Sequence, residues 1–136
     1  MTYFLAKTEP SSYSIDRFRQ ELRTTWDGVK NPQAVRAIQS MKPDDRVFIY
    51  HSGGESKIVG LAKVLGPPRP DPKEPKSMVV DLGYISHLPS PVTLAEIKQS
   101  KLFDDWGLVR QSRLSTMAAP HTFVEWMRTR NPDVEI

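Results

Sequence analysis

Two apolar runs separated by adjacent glycines constrain the fold of this chain more than any other feature. Residues 46–52 and residues 57–65 carry mainly valine, isoleucine, leucine and aromatic side chains, and Gly53-Gly54 lies between them. Such runs favour strands, and adjacent glycines tolerate the backbone conformations of a tight turn. The pattern therefore predicts a β-hairpin near the middle of the chain, with the glycines in its turn.

Further strands and helices are predicted on both sides of this hairpin. Residues 3–8 and residues 77–88 have the apolar character of strands, whereas the prolines of residues 66–75 predict an extended surface loop. Four helices are expected where a capping residue precedes an amphipathic pattern. The capping residues are Ser14, Asn31 (followed by Pro32), Thr93 and Thr122.

The order of these elements predicts the fold class. The strands cluster in the middle of the chain and helices lie before and after them. This order is typical of an α+β domain in which helices pack against a strongly curved, mostly antiparallel sheet. The length of 136 residues matches one domain, so we expect a single domain over residues 1–136.

Composition narrows the classes of function. The sequence has no cysteine, and its three histidines lack helical metal-binding spacing, so we expect no disulfide, no thiol enzyme and no metal site. No stretch approaches the roughly 18 apolar residues of a membrane span, and the first residues lack a basic leader. We therefore expect a cytoplasmic protein without a membrane partner. The net charge of +3 permits a polyanionic partner without requiring one.

Recognised catalytic motifs are missing from the sequence. There is no Gly-x-Ser-x-Gly turn, and residues 53–57 lack the spacing of a phosphate-binding loop. His51 and Ser52 are neighbours on a predicted strand, so their side chains point to opposite faces and cannot act on one substrate atom. The sequence therefore favours a non-enzymatic protein that uses no cofactor.

Trp26 is the most informative candidate for a binding site. It precedes Asp27-Gly28, where the missing side chain of the glycine lets a planar ligand approach the backbone. An indole can stack on a base held outside a helix, but it can equally anchor a core, and both interpretations stay open. The role of His51 is open in the same way, because a histidine at the end of a strand can border a pocket or can be structural.

A base pocket needs a flat wall, fixed hydrogen-bonding groups and external cations that meet phosphates. Trp26 would supply the wall. An asparagine such as Asn31 presents both a donor and an acceptor, which suits a base edge. The further polar groups would be Ser52 and Ser115, and the cations would be Lys30, Arg36 and Arg113.

Four segments of the sequence, taken in order, resemble the EVE-domain family. Each segment alone is weakly specific, but the four together run over nearly the whole chain. They are Tyr3-Phe4-Leu5-Ala6-Lys7-Thr8-Glu9-Pro10, then Trp26-Asp27-Gly28-Val29-Lys30-Asn31-Pro32-Gln33-Ala34, then Phe48-Ile49-Tyr50-His51-Ser52 with the strand that follows it, and finally Arg113-Leu114-Ser115.

The resemblance implies a PUA-like fold, in which a curved sheet or small barrel is flanked by helices. It also implies a module that recognises a modified base in DNA or RNA, and it implies no catalytic residue. The nucleobase-binding residues expected on this sequence are Lys7, Trp26, Gly28, Asn31, His51, Ser52 and Ser115. The phosphate-binding residues expected are Lys30, Arg36 and Arg113.

Two other functions stay open at this point. A free nucleoside or a similar small molecule could occupy the same pocket, and its binding would depend little on salt. An enzyme acting on a modified base would need a positioned acid or base, for which His51 is the candidate. The sequence does not decide between DNA and RNA, and it leaves the oligomeric state open.

Overall fold

The fold is an open seven-stranded sheet with five helices, seen in a computed structural model that describes residues 1–136. The strands are β1 (Tyr3–Thr8), β2 (Arg23–Trp26), β3 (Arg46–His51), β4 (Lys57–Val64), β5 (Arg69–Asp71), β6 (Glu74–Thr93) and β7 (Thr116–Ala118). The helices are α1 (Ile15–Glu21), α2 (Pro32–Gln39), α3 (Leu94–Ser100), α4 (Gly107–Arg110) and α5 (His121–Arg130).

The sheet is mixed, and all but one of its strand pairs are antiparallel. Its strands lie in the order β2-β6-β4-β3-β1-β7, and β5 pairs with β6 beside this path. Only β1 and β3 are parallel, with Tyr3 opposite Arg46 and Thr8 opposite His51. The α+β class with a mostly antiparallel sheet is therefore confirmed. Because β2 and β7 stand at opposite edges, the sheet remains open and does not close into a barrel.

Strand β6 organises the sheet because it is long enough to pair with three other strands. Its 20 residues pair with β5, β2 and β4. Its pairing with β4 contains two register shifts, and such bulges bend and twist a strand. Pro89 and Pro91 lie in the larger shift, where the ladder needs no N–H donor. The strand therefore continues to Thr93, although the sequence predicts that it ends before the prolines.

The sequence does not predict two of the short strands. β2 has only four residues, too few to show a period, and it forms because Arg23 pairs with Gly83 and Trp26 with Val80 of β6. β5 lies inside the segment that the sequence predicts as a loop. Its one proline, Pro70, is tolerated because a short strand at the edge of a sheet can do without some N–H donors.

Three of the four predicted helix caps are confirmed. The side chains of Ser14, Asn31 and Thr93 accept hydrogen bonds from the first turns of α1, α2 and α3. The predicted last helix is present as α5, but its predicted cap was wrong, because α5 already begins at His121 and Thr122 makes no capping hydrogen bond. None of the five helices combines the length and the apolar character that crossing a membrane requires.

Helix α1 packs closely on the sheet because Gly60 leaves room for it. A Cβ atom at Gly60 would lie 2.3 Å from Cδ1 of Ile15, so the Ile15 side chain would have to shift to admit it. Ile15, Phe18 and Leu22 recur at the spacing of three and four that predicts one buried helix face, and Ile15 and Phe18 are buried. Leu22, expected on the same buried face, is 64% exposed, since it ends the helix with a left-handed backbone (φ of 66°). The chain then turns directly into β2, and α1 and β2 border a cleft.

Candidate functional site

A cleft of about 430 Å³ opens between the end of β1, helix α1 and strand β2. Its volume falls in the range of small-molecule sites, roughly 300–1,000 Å³. Most of its lining is polar, and two aromatic side chains complete it. The lining residues are Lys7, Thr8, Ser12, Tyr13, Arg17, Glu21, Thr24, Thr25, Trp26 and Asp27.

Two aromatic rings form the apolar part of the cleft. The rings of Tyr13 and Trp26 meet edge to face, with their centroids 6.2 Å apart. Trp26 is 9% exposed and belongs to the hydrophobic core, whereas Tyr13 is half-buried. The backbone of Tyr13 is held in place because its carbonyl accepts a hydrogen bond of 2.9 Å from Oγ1 of Thr8. Trp26 is therefore both a core residue and a cleft residue.

A hydrogen-bonded network of Tyr13, Arg17 and Glu21 forms the α1 side of the cleft. The Tyr13 hydroxyl donates to Oε1 of Glu21 (2.7 Å), and Nε of Arg17 donates to Oε2 (3.2 Å). The Arg17 guanidinium also lies 5.3 Å from the centre of the Tyr13 ring. The hydrogen bond from Tyr13, with Arg17 beside it, holds the pKa of Glu21 below its usual value. Burial raises the pKa of Tyr13, so the network contains a neutral phenol and a charged carboxylate at neutral pH.

Lys7 brings an amine to the β1 side of the cleft. Its Nζ donates a hydrogen bond of 3.0 Å to the carbonyl of Ser112 and lies 5.5 Å from the centre of the Tyr50 ring. The side chain is half-buried, and this burial lowers the pKa of Lys7. Its contacts are a carbonyl and a ring rather than a carboxylate, which leaves N–H donors for a ligand.

The charges that line the cleft balance. Lys7 and Arg17 supply two positive charges, and Glu21 and Asp27 supply two negative charges. Asp27 is exposed, and its carboxylate makes no hydrogen bond within the chain. A base presents neutral donors and acceptors, whereas a phosphate attracts net positive charge. The cleft is therefore better suited to a base than to a phosphate.

The sequence matches the family model of the EVE domain over residues 2–129. The chain belongs to the EVE domain family. Thymocyte nuclear protein 1 of Mus musculus is 30% identical over 124 residues, which cover 71% of this chain and 55% of that protein. The chain thus spans about half the length of the curated relatives that it matches.

Solved structures share the fold of this EVE domain. The NMR structure of Rpa0253 from Rhodopseudomonas palustris has a TM-score of 0.90 at 31% identity, covering 100% of this chain and 97% of that chain. The crystal structure of human THYN1 protein, in complex with 5-methylcytosine containing DNA, has a TM-score of 0.87 at 23% identity, covering 96% and 98%. The fold that the family resemblance implies is therefore confirmed.

The EVE domain brings four of the predicted nucleobase-binding residues to one region. Lys7 and Trp26 line the cleft. Ser52 and Ser115 lie beside its β1 wall, since the N–H of Ser52 donates to the carbonyl of Thr8 (2.9 Å) and the carbonyl of Ser115 accepts from the N–H of Lys7 (2.8 Å). Their contact with a base remains a prediction.

Gly28 and Asn31 follow Trp26 but are not among the residues that line the cleft. Gly28 has a φ of 75°, and no atom lies within 4 Å of the place where a Cβ would be. Glycine suits this position because the backbone is left-handed. Oδ1 of Asn31 caps α2 by accepting a hydrogen bond of 2.8 Å from the N–H of Gln33, so its acceptor is already used. Base contacts by these two residues also remain predictions.

His51 does not border the cleft of Trp26, contrary to the expectation from the sequence. It is buried in a different cleft, where its Nε2 accepts a hydrogen bond of 3.1 Å from the N–H of Ile15. Its Nδ1 lies 3.0 Å from Oε1 of Glu55. The contact with Ile15 requires an unprotonated Nε2, so the ring proton belongs on Nδ1. Of the two interpretations of His51, the geometry supports the structural one.

The second cleft also contains His87, Asp16 and Glu55, which makes it the natural place to look for a metal site. Asp16 accepts a hydrogen bond of 2.7 Å from Nε2 of His87. No group of three or more His, Asp or Glu side chains in the structure could hold a metal ion. The hydrogen bonds in this cleft instead secure the first turn of α1, to which Asp16 belongs.

The three residues expected at phosphates are all exposed. None of Lys30, Arg36 and Arg113 forms an ion pair within the chain. Arg113 follows Ser112, whose carbonyl binds the amine of Lys7, so it lies beside the β1 side of the cleft. Arg36 is in the last turn of α2, and Lys30 precedes that helix. Their binding of phosphate remains a prediction.

Sequence reasoning missed most of the polar lining of the cleft. Arg17 and Glu21 are four residues apart in α1 and therefore share one face, a spacing that could have indicated them. Tyr13, Thr24 and Asp27 offer no comparable signal. Thr24 and Asp27 reach the cleft because β2, which contains Thr24 and ends just before Asp27, pairs with β6, far away in the sequence.

Proposed function

We propose that this chain binds nucleic acid and holds one modified base in the cleft beside Tyr13 and Trp26. The observation that carries the proposal is a charge-balanced cleft of about 430 Å³ with an aromatic wall. Stacking of a base on an aromatic ring contributes roughly 1–3 kcal/mol, or about five- to 150-fold in affinity. The proposed activity is binding without turnover.

The hydrogen-bonding groups of the cleft suit a base that carries an amino group. Glu21 and Asp27 place two carboxylates in the lining, and a carboxylate only accepts hydrogen bonds. The exocyclic amino groups of cytosine and adenine donate, whereas thymine has a carbonyl at the corresponding place. Lys7 offers the complementary donor for a ring nitrogen or a carbonyl of the base. A methylated cytosine therefore fits this set of groups better than thymine does.

The comparisons support the proposal at two levels. The chain belongs to the EVE domain family, and the human THYN1 protein of the same fold was solved with 5-methylcytosine containing DNA. At 23% identity, that structure shares the fold with this chain. The assignment of Tyr13, Trp26, Glu21 and Asp27 to base contacts therefore depends on the geometry of the cleft in this chain.

A free nucleoside is the main alternative ligand, because the cleft alone has room for a small molecule. Salt separates the two ligands, since only a polynucleotide releases many counterions when it binds. The enzyme alternative gains no support from His51. Its ring lies in the other cleft and contacts Ile15 and Glu55.

A binding screen tests the proposal. The protein would be titrated with short DNA and RNA oligonucleotides, single- and double-stranded, that carry one central cytosine, 5-methylcytosine, thymine, adenine or N6-methyladenine. The corresponding free nucleosides would be tested in parallel. We expect one modified base to bind several-fold more tightly than its unmodified form, with an affinity that falls as salt rises. Equal affinity for every base would contradict the proposal. Salt-independent binding of nucleosides alone would favour a free nucleoside as the ligand.

A further inference from the structure

A second groove adjoins the base cleft at the edge of the sheet. It measures about 420 Å³, and none of its lining residues is hydrophobic: they are Arg23, Thr24, Thr25, Arg69 and Asp81. Thr24 and Thr25 line both the groove and the cleft, so the two are continuous along β2. The groove contains none of the residues that the sequence predicts at phosphates.

One arginine of the groove is held in a fixed orientation. Nη1 and Nη2 of Arg69 donate hydrogen bonds of 3.1 Å and 3.3 Å to the two carboxylate oxygens of Asp81. Thr25 Oγ1 donates a further hydrogen bond of 2.7 Å to that carboxylate. The hydrogen bonds from Thr25 and then Arg69 hold the pKa of Asp81 below its usual range, so the partner stays charged. Arg69 has five N–H donors, of which Asp81 takes two, and the side chain is 49% exposed.

The other arginine is unpaired. Arg23 is exposed and makes neither an ion pair nor a side-chain hydrogen bond, while its backbone is held opposite Gly83 of β6. The groove contains two positive charges, from Arg23 and Arg69, and one negative charge, from Asp81. Its net charge is therefore +1. Because β2 is an edge strand of the sheet, its outward N–H groups are also free to donate.

We infer that this groove binds the phosphodiester backbone of the same polynucleotide whose base occupies the cleft, an inference that rests on the proposed function. Arginine, threonine hydroxyls and backbone N–H groups are the usual donors to phosphate oxygens. Arg23 precedes Trp26 by three residues in β2, which corresponds to about 10 Å of strand. That distance is close to the rise of about three stacked nucleotides. The side chains of Arg23 and Trp26 leave opposite faces of β2. A strand that inserts one base beside Trp26 therefore crosses the sheet edge at β2 and meets Arg23 with a phosphate about three nucleotides away.

Salt titrations of matched variants test the groove. Arg23→Gln removes its unpaired charge, and Lys98→Gln removes one charge from α3, at an exposed residue that lines neither groove nor cleft. The probe is the oligonucleotide with one 5-methylcytosine. We expect Arg23→Gln to lower the slope of log K against log salt by about one and to weaken binding about tenfold near 0.1 M salt. The loss should be the same for methylated and unmethylated probes, and Lys98→Gln should change neither quantity.

Asp81→Asn raises the net positive charge of the groove, whereas Arg23→Gln lowers it, so the two variants should change binding in opposite directions. The amide oxygen still accepts a hydrogen bond from Thr25 or Arg69, but the negative charge is gone. We expect this variant to bind the oligonucleotide several-fold more tightly, with a steeper salt dependence. If Asp81 only stabilises the strand pairing, its replacement will leave binding unchanged or weaken it, and either result contradicts the inference.

The free nucleoside of 5-methylcytosine separates the groove from the cleft. Its affinity should be equal for the unmodified protein and Arg23→Gln, since a nucleoside has no phosphate. If the unmodified protein binds the oligonucleotide but Arg23→Gln keeps its affinity and salt slope, the groove inference is wrong and the base cleft stands. If the unmodified protein binds no oligonucleotide at all, the proposed function is wrong and the groove inference is lost with it.

Discussion

The rings of Tyr13 and Trp26 meet edge to face, with centroids 6.2 Å apart and ring planes at 88°. Tyr13 and core residues pack against the indole, so that 9% of Trp26 remains exposed. One side chain therefore contributes to both the hydrophobic core and the cleft. Substitutions at Trp26 must be assessed for stability and for binding together.

Trp26→Phe is expected to weaken both properties. The smaller ring leaves part of the indole site unfilled, which should destabilise the fold by about 1–3 kcal/mol. It also shrinks the stacking surface, so affinity for a 5-methylcytosine oligonucleotide should fall several-fold. Thermal denaturation and titration well below the midpoint measure the two effects separately. Trp126→Phe is the control, because Trp126 lines a different groove and its replacement should leave binding intact. Unchanged affinity in folded Trp26→Phe would remove Trp26 from the binding site.

Asp27→Asn should reduce the preference of the cleft for an amino-bearing base. 5-Methylcytosine and thymine share the methyl group and differ on their base-pairing edge, so their affinity ratio measures that edge. The carboxylate of Asp27 can only accept, whereas an asparagine amide can also donate to the thymine carbonyl. We expect the ratio to narrow by at least about fivefold, corresponding to roughly 1 kcal/mol of discrimination.

Asp133→Asn provides the matched control for Asp27→Asn. Asp133 is exposed near the end of the chain, and its replacement removes one negative charge outside the cleft. Only Asp27→Asn should change the ratio of the affinities for 5-methylcytosine and thymine. An identical ratio in the two variants would show that Asp27 does not contact the base.

Lys7 should make binding depend on pH in the alkaline range. Burial lowers the pKa of Lys7. The amine is charged below that pKa and loses its charge as the pH rises through it, at a lower pH than an exposed lysine with a pKa of about 10.4. We expect affinity for the oligonucleotide to decline over this range in the unmodified protein. Lys7→Met keeps the aliphatic stem, and its affinity should be lower but should not show this decline. Equal pH profiles for the two proteins would exclude the Lys7 amine from binding.

Local and long-range interactions explain which parts of the site could be predicted from the sequence. The caps Ser14 and Asn31 were predictable, because a cap depends on residues within one helical turn. The cleft itself was not, because β2 exists only through its pairing with β6. Thr25 and Asp81, for example, are 56 residues apart in the sequence and share a hydrogen bond. The periodicity of a short sequence window cannot predict a pairing between residues so far apart.

His51 and Trp26 show the same limit for individual residues. The sequence leaves each open between a structural and a binding role. The outcome depends on what surrounds the side chain: Ile15 and Glu55 occupy the two ring nitrogens of His51. Trp26 instead lines the cleft while most of its surface is buried. Burial and hydrogen-bond partners are properties of the folded chain, so the sequence could not decide between the two interpretations of either residue.

His51→Leu should destabilise the fold without changing binding by the folded protein. The N–H of Ile15 would lose its acceptor at the start of α1, and an unsatisfied buried donor costs about 1–3 kcal/mol. His51→Gln retains an acceptor oxygen and should lose less stability. Denaturant unfolding measures the difference between the two variants. A loss of affinity in fully folded His51→Gln, with stability preserved, would restore His51 as a binding residue.

The hydrogen bond between Asp16 and His87 should make stability fall in acid. Nε2 of His87 lies 2.7 Å from Oδ1 of Asp16, and this hydrogen bond lowers the pKa of Asp16 in the folded protein. A carboxyl with a lowered folded pKa stabilises the fold above its unfolded pKa of about 4 and loses that contribution as pH falls through the folded value. Thermal midpoints of the unmodified protein and Asp16→Asn should therefore differ at pH 6, with the variant lower, and this difference should shrink as the pH falls through the folded pKa of Asp16. Ser14 and the core contacts of Ile15 remain in the variant, so α1 should still form. A difference in midpoint that stays constant from neutral to acid pH would show that the hydrogen bond contributes no pH-dependent stability.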